Sequence, residues 1–199
     1  MANVHILILA AGASSRMRGV DKLMQPVRRK PLLRHMAETA LATGSPVSVT
    51  LPPDAASRRE AMRDLPVRII DVPDADLGMS RSLVRGIGAL RDAGPEDGVM
   101  VLPADMPGFT RAALSDLIDR FRVDPDLILR GGGLDGQPGH PVIFPRDLWP
   151  MLSRVTGDEG GRTVIQQNKG RVRVIPLPDA MALIDLDTPE DWAAWHRQP

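Results

Sequence analysis

The sequence predicts an open α/β sheet with helices on both faces. Apolar, β-branched runs alternate with amphipathic segments along the whole chain. Several of these runs are continuous, as strands buried on both faces of a parallel sheet require. The first run ends in a loop of small residues, at the carboxyl end of a strand, where ligands bind in such sheets.

The elements follow in order. Val4–Leu9 is the first strand, and it leads into the small residues Ala10 to Ser15 and the cations Arg16 and Lys22. Arg28-Arg29-Lys30 reads as a solvated turn, and Pro31 and Gly44 bracket a helix over Leu32–Thr43. Strands are expected at Pro46–Leu51 and Val67–Asp71, then a segment opened by Gly78-Met79-Ser80-Arg81-Ser82, then a strand at Gly98–Leu102. Thr110 caps a helix whose Leu114, Leu117, Ile118 and Phe121 share one face. Leu127–Leu129, Val142–Phe144 and Val172–Pro176 complete the strands, with glycine-rich 131–139 expected as a flexible lip over the substrate. Thr188-Pro189-Glu190-Asp191 is the N-cap, first-turn proline and acidic turn of a final helix.

Composition narrows the function. The 199 residues are expected to form one domain, 1–199, large enough to bury its own core. There is no cysteine, so neither a disulfide framework nor a thiolate metal site is available. Four histidines without metal-ligand spacing argue against zinc. Lys plus Arg balance Asp plus Glu, 25 against 25, and there is no Tyr, which speaks against nucleic acid as partner. The N-terminus lacks a basic region and no run is long enough for a membrane span, so a cytoplasmic protein with no membrane partner is expected.

The small-residue loop lets backbone N–H groups approach an anion closely, and Arg16 and Lys22 add charge-assisted bonds to phosphate. The frame is neither Walker A nor the dinucleotide fingerprint, so an ordinary strand-to-helix connection is the competing reading. Lys22 is one of three lysines in a chain rich in arginine, which favours a specific role. Asp105 follows an apolar strand and precedes Met106-Pro107, so it is either a metal ligand on a stiff turn or a capping residue. Asp185 and Asp187 would face the same way on a strand, as a carboxylate pair for a cation or as a solvated pair before the last helix. Ser80 and Ser82 either cap a helix or bind an anion and ribose there; without a neighbouring His–Asp pair they do not suggest a hydrolase triad.

Leu9-Ala-Ala-Gly-Ala-Ser-Ser-Arg-Met17 followed by Lys22 resembles the signature of the MobA-like nucleotidyltransferases, and within them most of all the molybdenum cofactor cytidylyltransferases. Leu77-Gly-Met-Ser-Arg-Ser-Leu83, Leu102-Pro-Ala-Asp-Met-Pro107, Gly139-His-Pro-Val-Ile-Phe144, Thr156-Gly-Asp-Glu-Gly-Gly-Arg162 and Asp185-Leu-Asp-Thr-Pro-Glu-Asp191 match in the same order. The resemblance implies a Rossmann-like, GT-A-like three-layer sandwich with a mostly parallel sheet. It implies Mg²⁺-dependent transfer of CMP from CTP to molybdopterin with release of pyrophosphate. Handover to a xanthine dehydrogenase-type molybdoenzyme or its chaperone would follow.

By the same resemblance Leu9, Ala10, Ala11, Gly12, Ala13 and Ser14 form the nucleotide loop, with Ser80 and Ser82 beside it. Arg16 would contact the β- and γ-phosphates, Lys22 the α-phosphate, and Asp105 with Asp187 the Mg²⁺. His140, Asp158 and Arg162 are the acceptor candidates; His140 is otherwise hydrogen-bonded structure and Asp158 a cap. One departure stands out: Arg18 intervenes before Gly19, placing Lys22 one residue later than the family pattern. Ala11, rather than a second glycine, resembles cytidylyl-transferring members. A guanylyl- or sugar-phosphate-directed transferase, or a non-catalytic molybdenum-cofactor chaperone, remain the alternatives.

Overall fold

A computed structural model describes residues 2–91, 93–157 and 160–197. The strands are β1 (Val4–Leu9), β2 (Pro26–Val27), β3 (Lys30–Pro31), β4 (Val47–Leu51), β5 (Arg68–Asp71), β6 (Gly98–Pro103), β7 (Ile128–Gly132), β8 (Pro138–Pro145) and β9 (Val172–Pro176). The helices are α1 (Leu32–Leu41), α2 (Ala56–Met62), α3 (Met79–Ala89), α4 (Arg111–Val123), α5 (Trp149–Leu152), α6 (Arg162–Gln167) and α7 (Pro189–Trp195). Seven strands form one sheet in the order β5-β4-β1-β6-β8-β7-β9, and β2 pairs with β3 apart from it. Within the large sheet β8 runs antiparallel to β6 and β7, and every other pairing is parallel.

Alternation along each strand builds three layers. Ile6, Ile8, Met100, Leu102, Leu129 and Ile143 point to the side covered by α1, α4 and α7. Leu7, Val99, Val101, Ile128, Val142 and Phe144 point to the side of α3, α5 and α6. From β1 the chain winds outward through β4 to β5, then returns to β6 on the other flank of β1. The carboxyl ends of β1 and β6 thus border the crevice where the winding reverses, the place such sheets reserve for ligands. Among the described residues no helix is long and apolar enough to cross a membrane.

The seven expected strands are all present, and Thr110 caps α4 by accepting the Ala113 N–H at 3.2 Å. Thr188 and Asp191 form a reciprocal capping box on α7. Arg28 and Arg29 form the exposed turn that was expected; two expectations need correction, and one element is new. The β2–β3 hairpin was not anticipated: its turn places Arg28 and Arg29 at φ 49° and 67°, a geometry usually announced by Asn or Gly. The expected lip over 131–139 is shorter than anticipated: Gly131 and Gly132 belong to β7, Pro138 and Gly139 belong to β8, and residues 133–137 form the turn between them. Residues 184–187 are irregular chain rather than a strand, so alternation does not orient Asp185 and Asp187.

At the opposite edge of the sheet, Asp97 ties together the starts of β1 and β6. Its carboxylate accepts the Asn3 N–H at 2.9 Å, the Gly94 N–H at 2.7 Å and meets His5 Nε2 at 3.2 Å. Burial pushes this carboxyl up, but the two amides and the imidazole outweigh it and hold it below the usual range. A depressed folded pKa stabilises the fold above the unfolded value, about 4, and the benefit is lost as pH falls through the folded value. Asp97→Asn is therefore expected to cost about 1–3 kcal/mol near neutrality, with the deficit shrinking below about pH 4; urea unfolding of both proteins across that range measures it.

Candidate active site

The carboxyl edge of the sheet gathers the charged residues singled out in the sequence. Lys22 lies in a short 3₁₀ turn, Lys22–Met24, whose N-terminal Asp21 accepts the Leu23 N–H at 3.0 Å. The Lys22 ammonium donates to Asp105 Oδ2 at 2.6 Å and to Asp187 Oδ1 at 2.5 Å. Arg16 bonds the other Asp187 oxygen, and Arg18 meets Glu190 at 3.2 Å. Burial pulls the Lys22 pKa down, but Asp105 and Asp187 more than offset it, so the ammonium is held above its ordinary value. Asp185 makes no ion pair among the described residues; burial first, then Asp187 and Asp105, push its carboxyl up against the pull of Lys22.

Local backbone explains this convergence. Asp105 sits in the turn after β6, and its carbonyl accepts the Leu186 N–H at 2.9 Å, which draws the 185–187 segment to it. Gly139 brings the same segment in from the other side: a Cβ there would lie 2.0 Å from the Ala182 carbonyl oxygen, and His140 N–H donates to that oxygen at 2.9 Å. The residue inserted before Gly19 is absorbed in a tight turn, with Arg18 and Gly19 at φ 52° and 88°, and Lys22 still reaches both carboxylates.

The loop after β1 is open on its outer side. Gly12 and Ala13 are exposed, and a Cβ on Gly12 would meet nothing within 4 Å. Leu9 is half-buried, Ala10 and Ala11 are buried, and Ser14 takes φ 53°. Ser80 and Ser82 are buried in the first turns of α3 and do not cap it; the N-cap is Gly78, and the Ser80 hydroxyl has no partner among the described residues. The Ser80 N–H donates to the Gly157 carbonyl at 3.2 Å, while Arg81 is held by Asp74. His140 is half-buried, its Nδ1 without a partner among the described residues, and Arg162 is exposed at the start of α6. Asp158 lies outside the described residues. Among those described, no cluster of three or more His, Cys, Asp or Glu side chains is arranged to hold a metal, so Asp105 and Asp187 are a pair bridged by Lys22.

A profile of the MobA-like NTP transferase domain matches residues 6–172. The chain belongs to this family. Nicotine blue oxidoreductase of Paenarthrobacter nicotinovorans is 29% identical to it over 190 residues, 92% of either chain. The crystal structure of Rv0371c from Mycobacterium tuberculosis H37Rv, 25% identical, matches with a TM-score of 0.84 over 99% of both chains. The same protein in complex with manganese matches at 0.79 over 97% of both chains, again at 25% identity. A CMP:2-keto-3-deoxy-manno-octonic acid synthetase solved with CTP shares the fold, with a TM-score of 0.74 at 17% identity over 98% of this chain and 97% of that one.

In this MobA-like transferase the loop after β1 is fastened from below by a residue that sequence reading did not single out. Arg58 of α2 is buried, and its guanidinium grips Asp21 with two bonds of 2.7 and 2.9 Å. The remaining nitrogen donates to the carbonyls of Ala10 at 2.7 Å and Gly12 at 3.0 Å. With those carbonyls turned inward, the loop's outer side is left for a ligand. Arg58 sits among other charges on a helix, so no sequence signal separated it from a solvated face; the apolar surroundings that make it special come from the fold. Arg58→Met is expected to cost about 3–5 kcal/mol, because it leaves Asp21 and two carbonyls without their donor. In a double-mutant cycle by denaturant unfolding, adding Asp21→Leu should restore part of that loss.

Proposed function

We propose that the chain, acting as a single domain, transfers CMP from CTP to molybdopterin and releases pyrophosphate. The observation that carries the reading is the Lys22 ammonium shared by Asp105 and Asp187 beside an open loop at the crevice of a nucleotidyltransferase fold. An acceptor phosphate is already anionic, so transfer needs charge neutralisation and alignment rather than a side-chain nucleophile. In the step, an acceptor phosphate oxygen bonds to the α-phosphorus. The bond from that phosphorus to the bridging oxygen breaks, and pyrophosphate leaves with the electron pair.

The loop 9–14 would hold the triphosphate with its N–H groups, Arg16 would meet the β- and γ-phosphates, and Lys22 the α-phosphate. Ser80 and Ser82 would lie beside the nucleotide, with His140, Arg162 and Asp158 toward the acceptor. Asp105 and Asp187 are hard oxygen donors converging on one point charge, a set that suits Mg²⁺ or Mn²⁺. When bound, such a cation neutralises triphosphate charge. The manganese complex of Rv0371c supports a divalent cation in this role. Ala11 in the loop favours cytosine over guanine. The redox name of the Paenarthrobacter relative denotes another reaction class; the cation–carboxylate cluster answers the needs of phosphoryl chemistry and favours transfer. The cytosine dinucleotide so formed would pass to a xanthine dehydrogenase-type molybdoenzyme or its chaperone in the cytoplasm.

Pyrophosphate release with purified protein, molybdopterin and Mg²⁺ tests this, with CTP compared against GTP, ATP and UTP. Release with CTP is the expected result; release with GTP alone overturns the base, and binding without release favours a chaperone. Asp105→Ala should lower kcat by about 100-fold or more with its melting temperature little changed. Full turnover in that variant would sink the assignment.

A further inference from the structure

Several arginines near the carboxyl edge are each matched by a carboxylate: Arg16 by Asp187, Arg18 by Glu190, Arg58 by Asp21, Arg81 by Asp74. Among the described residues, Arg130 and Arg162 are not. Arg130 is half-buried on β7, and its Nε and Nη2 both donate to one acceptor, the Gly139 carbonyl, at 3.2 and 3.1 Å. Neither it nor Arg162 meets a carboxylate among the described residues. Gly161, the residue before Arg162, packs against the ring of Phe144, two positions along β8 from Val142, which pairs with Arg130; burial, and then the charge of Arg162, lower the Arg130 pKa.

His140 adjoins them. Burial and the Arg130 charge lower its pKa, while Asp105 acts on it in the opposite sense. It therefore lies within electrostatic reach of both Arg130 and Asp105, and its Nδ1 has no partner among the described residues. The Gly157 carbonyl, bonded to the Ser80 N–H, anchors the chain shortly before Arg162 to the start of α3. A half-buried cation facing a second cation, with an unsatisfied imidazole nitrogen alongside, is stabilised when an anion enters. Guanidiniums match phosphate oxygens in geometry as well as charge.

We propose that Arg130 and Arg162 form the subsite for the acceptor's phosphate monoester, with His140 Nδ1 as a further hydrogen-bonding group at its inner wall. This rests on the transfer reading above and adds the group that recognises the acceptor. The subsite lies on the α3–α6 side of the sheet, where Val142, the partner of Arg130, also points. It orients the phosphate whose oxygen attacks, and a dianion there needs no proton removed.

The test is equilibrium dialysis of radiolabelled inorganic phosphate in the presence of Mg²⁺ and α,β-methylene-CTP, which occupies the nucleotide site. CTP binding is measured separately on the same proteins. Arg162→Ala, an exposed change, and Arg130→Lys, which keeps the charge but loses the fork, should each weaken phosphate binding about tenfold or more, with CTP affinity unchanged. If Arg130→Lys does not fold, Arg162→Ala decides. Phosphate affinity unchanged in the variants, or no phosphate binding by the parent protein, overturns the subsite. So does a parallel fall in CTP affinity, which would assign the arginines to the triphosphate. Arginine-dependent phosphate binding by a parent protein that does not bind CTP upholds the anion subsite and overturns the transfer reading.

Discussion

One ammonium group joins three distant parts of the chain. Lys22 reaches Asp105, 83 positions along, and Asp187, 165 positions along. Two carboxylates that close together repel unless a cation lies between them, and the repulsion is stronger where water is partly excluded. Lys22 supplies that cation. Asp185, next to the pair but not paired with the ammonium, has its carboxyl pushed up by burial and by Asp187 and Asp105, with Lys22 acting in the opposite sense.

The balance holds only because the backbone around it is fastened at several points. Arg58 takes the carbonyls of the loop after β1 and Asp21 in one planar fork, so the turn bearing Lys22 and the loop that precedes it are positioned together. The Asp105 carbonyl and the close passage of Gly139 by Ala182 hold the other side. The parallel strands β1 and β6, buried on both faces, are the rigid base from which these segments project. Rigid strands with an irregular rim are what let residues so far apart in sequence share one charge.

Much of this was legible beforehand. The continuous apolar runs located all seven strands of the large sheet, because a strand covered by helices on both faces has no solvent side to interrupt it. Thr110 and Thr188 declared their helices through side-chain oxygens that meet nearby amides, a purely local interaction. The ordered motifs pointed to Arg16, Lys22, Asp105 and Asp187, which the fold brings together. What escaped was non-local or atypical: the hairpin turning on two arginines, the sheet pairing of glycines expected as a lip, and the buried fork of Arg58.

The sequence by itself determined the layered α/β architecture, the loop after the first strand and the types of charged residue available, since hydrophobic period, capping and glycine placement act over a few residues. Tertiary structure decided which charges meet. Arg58 looks like any helical arginine until α2 packs beneath the loop, and Arg130 like any strand arginine until the Gly139 carbonyl becomes its acceptor. The physical reason is that an ion pair depends on distance and dielectric, and both are set by how remote segments pack.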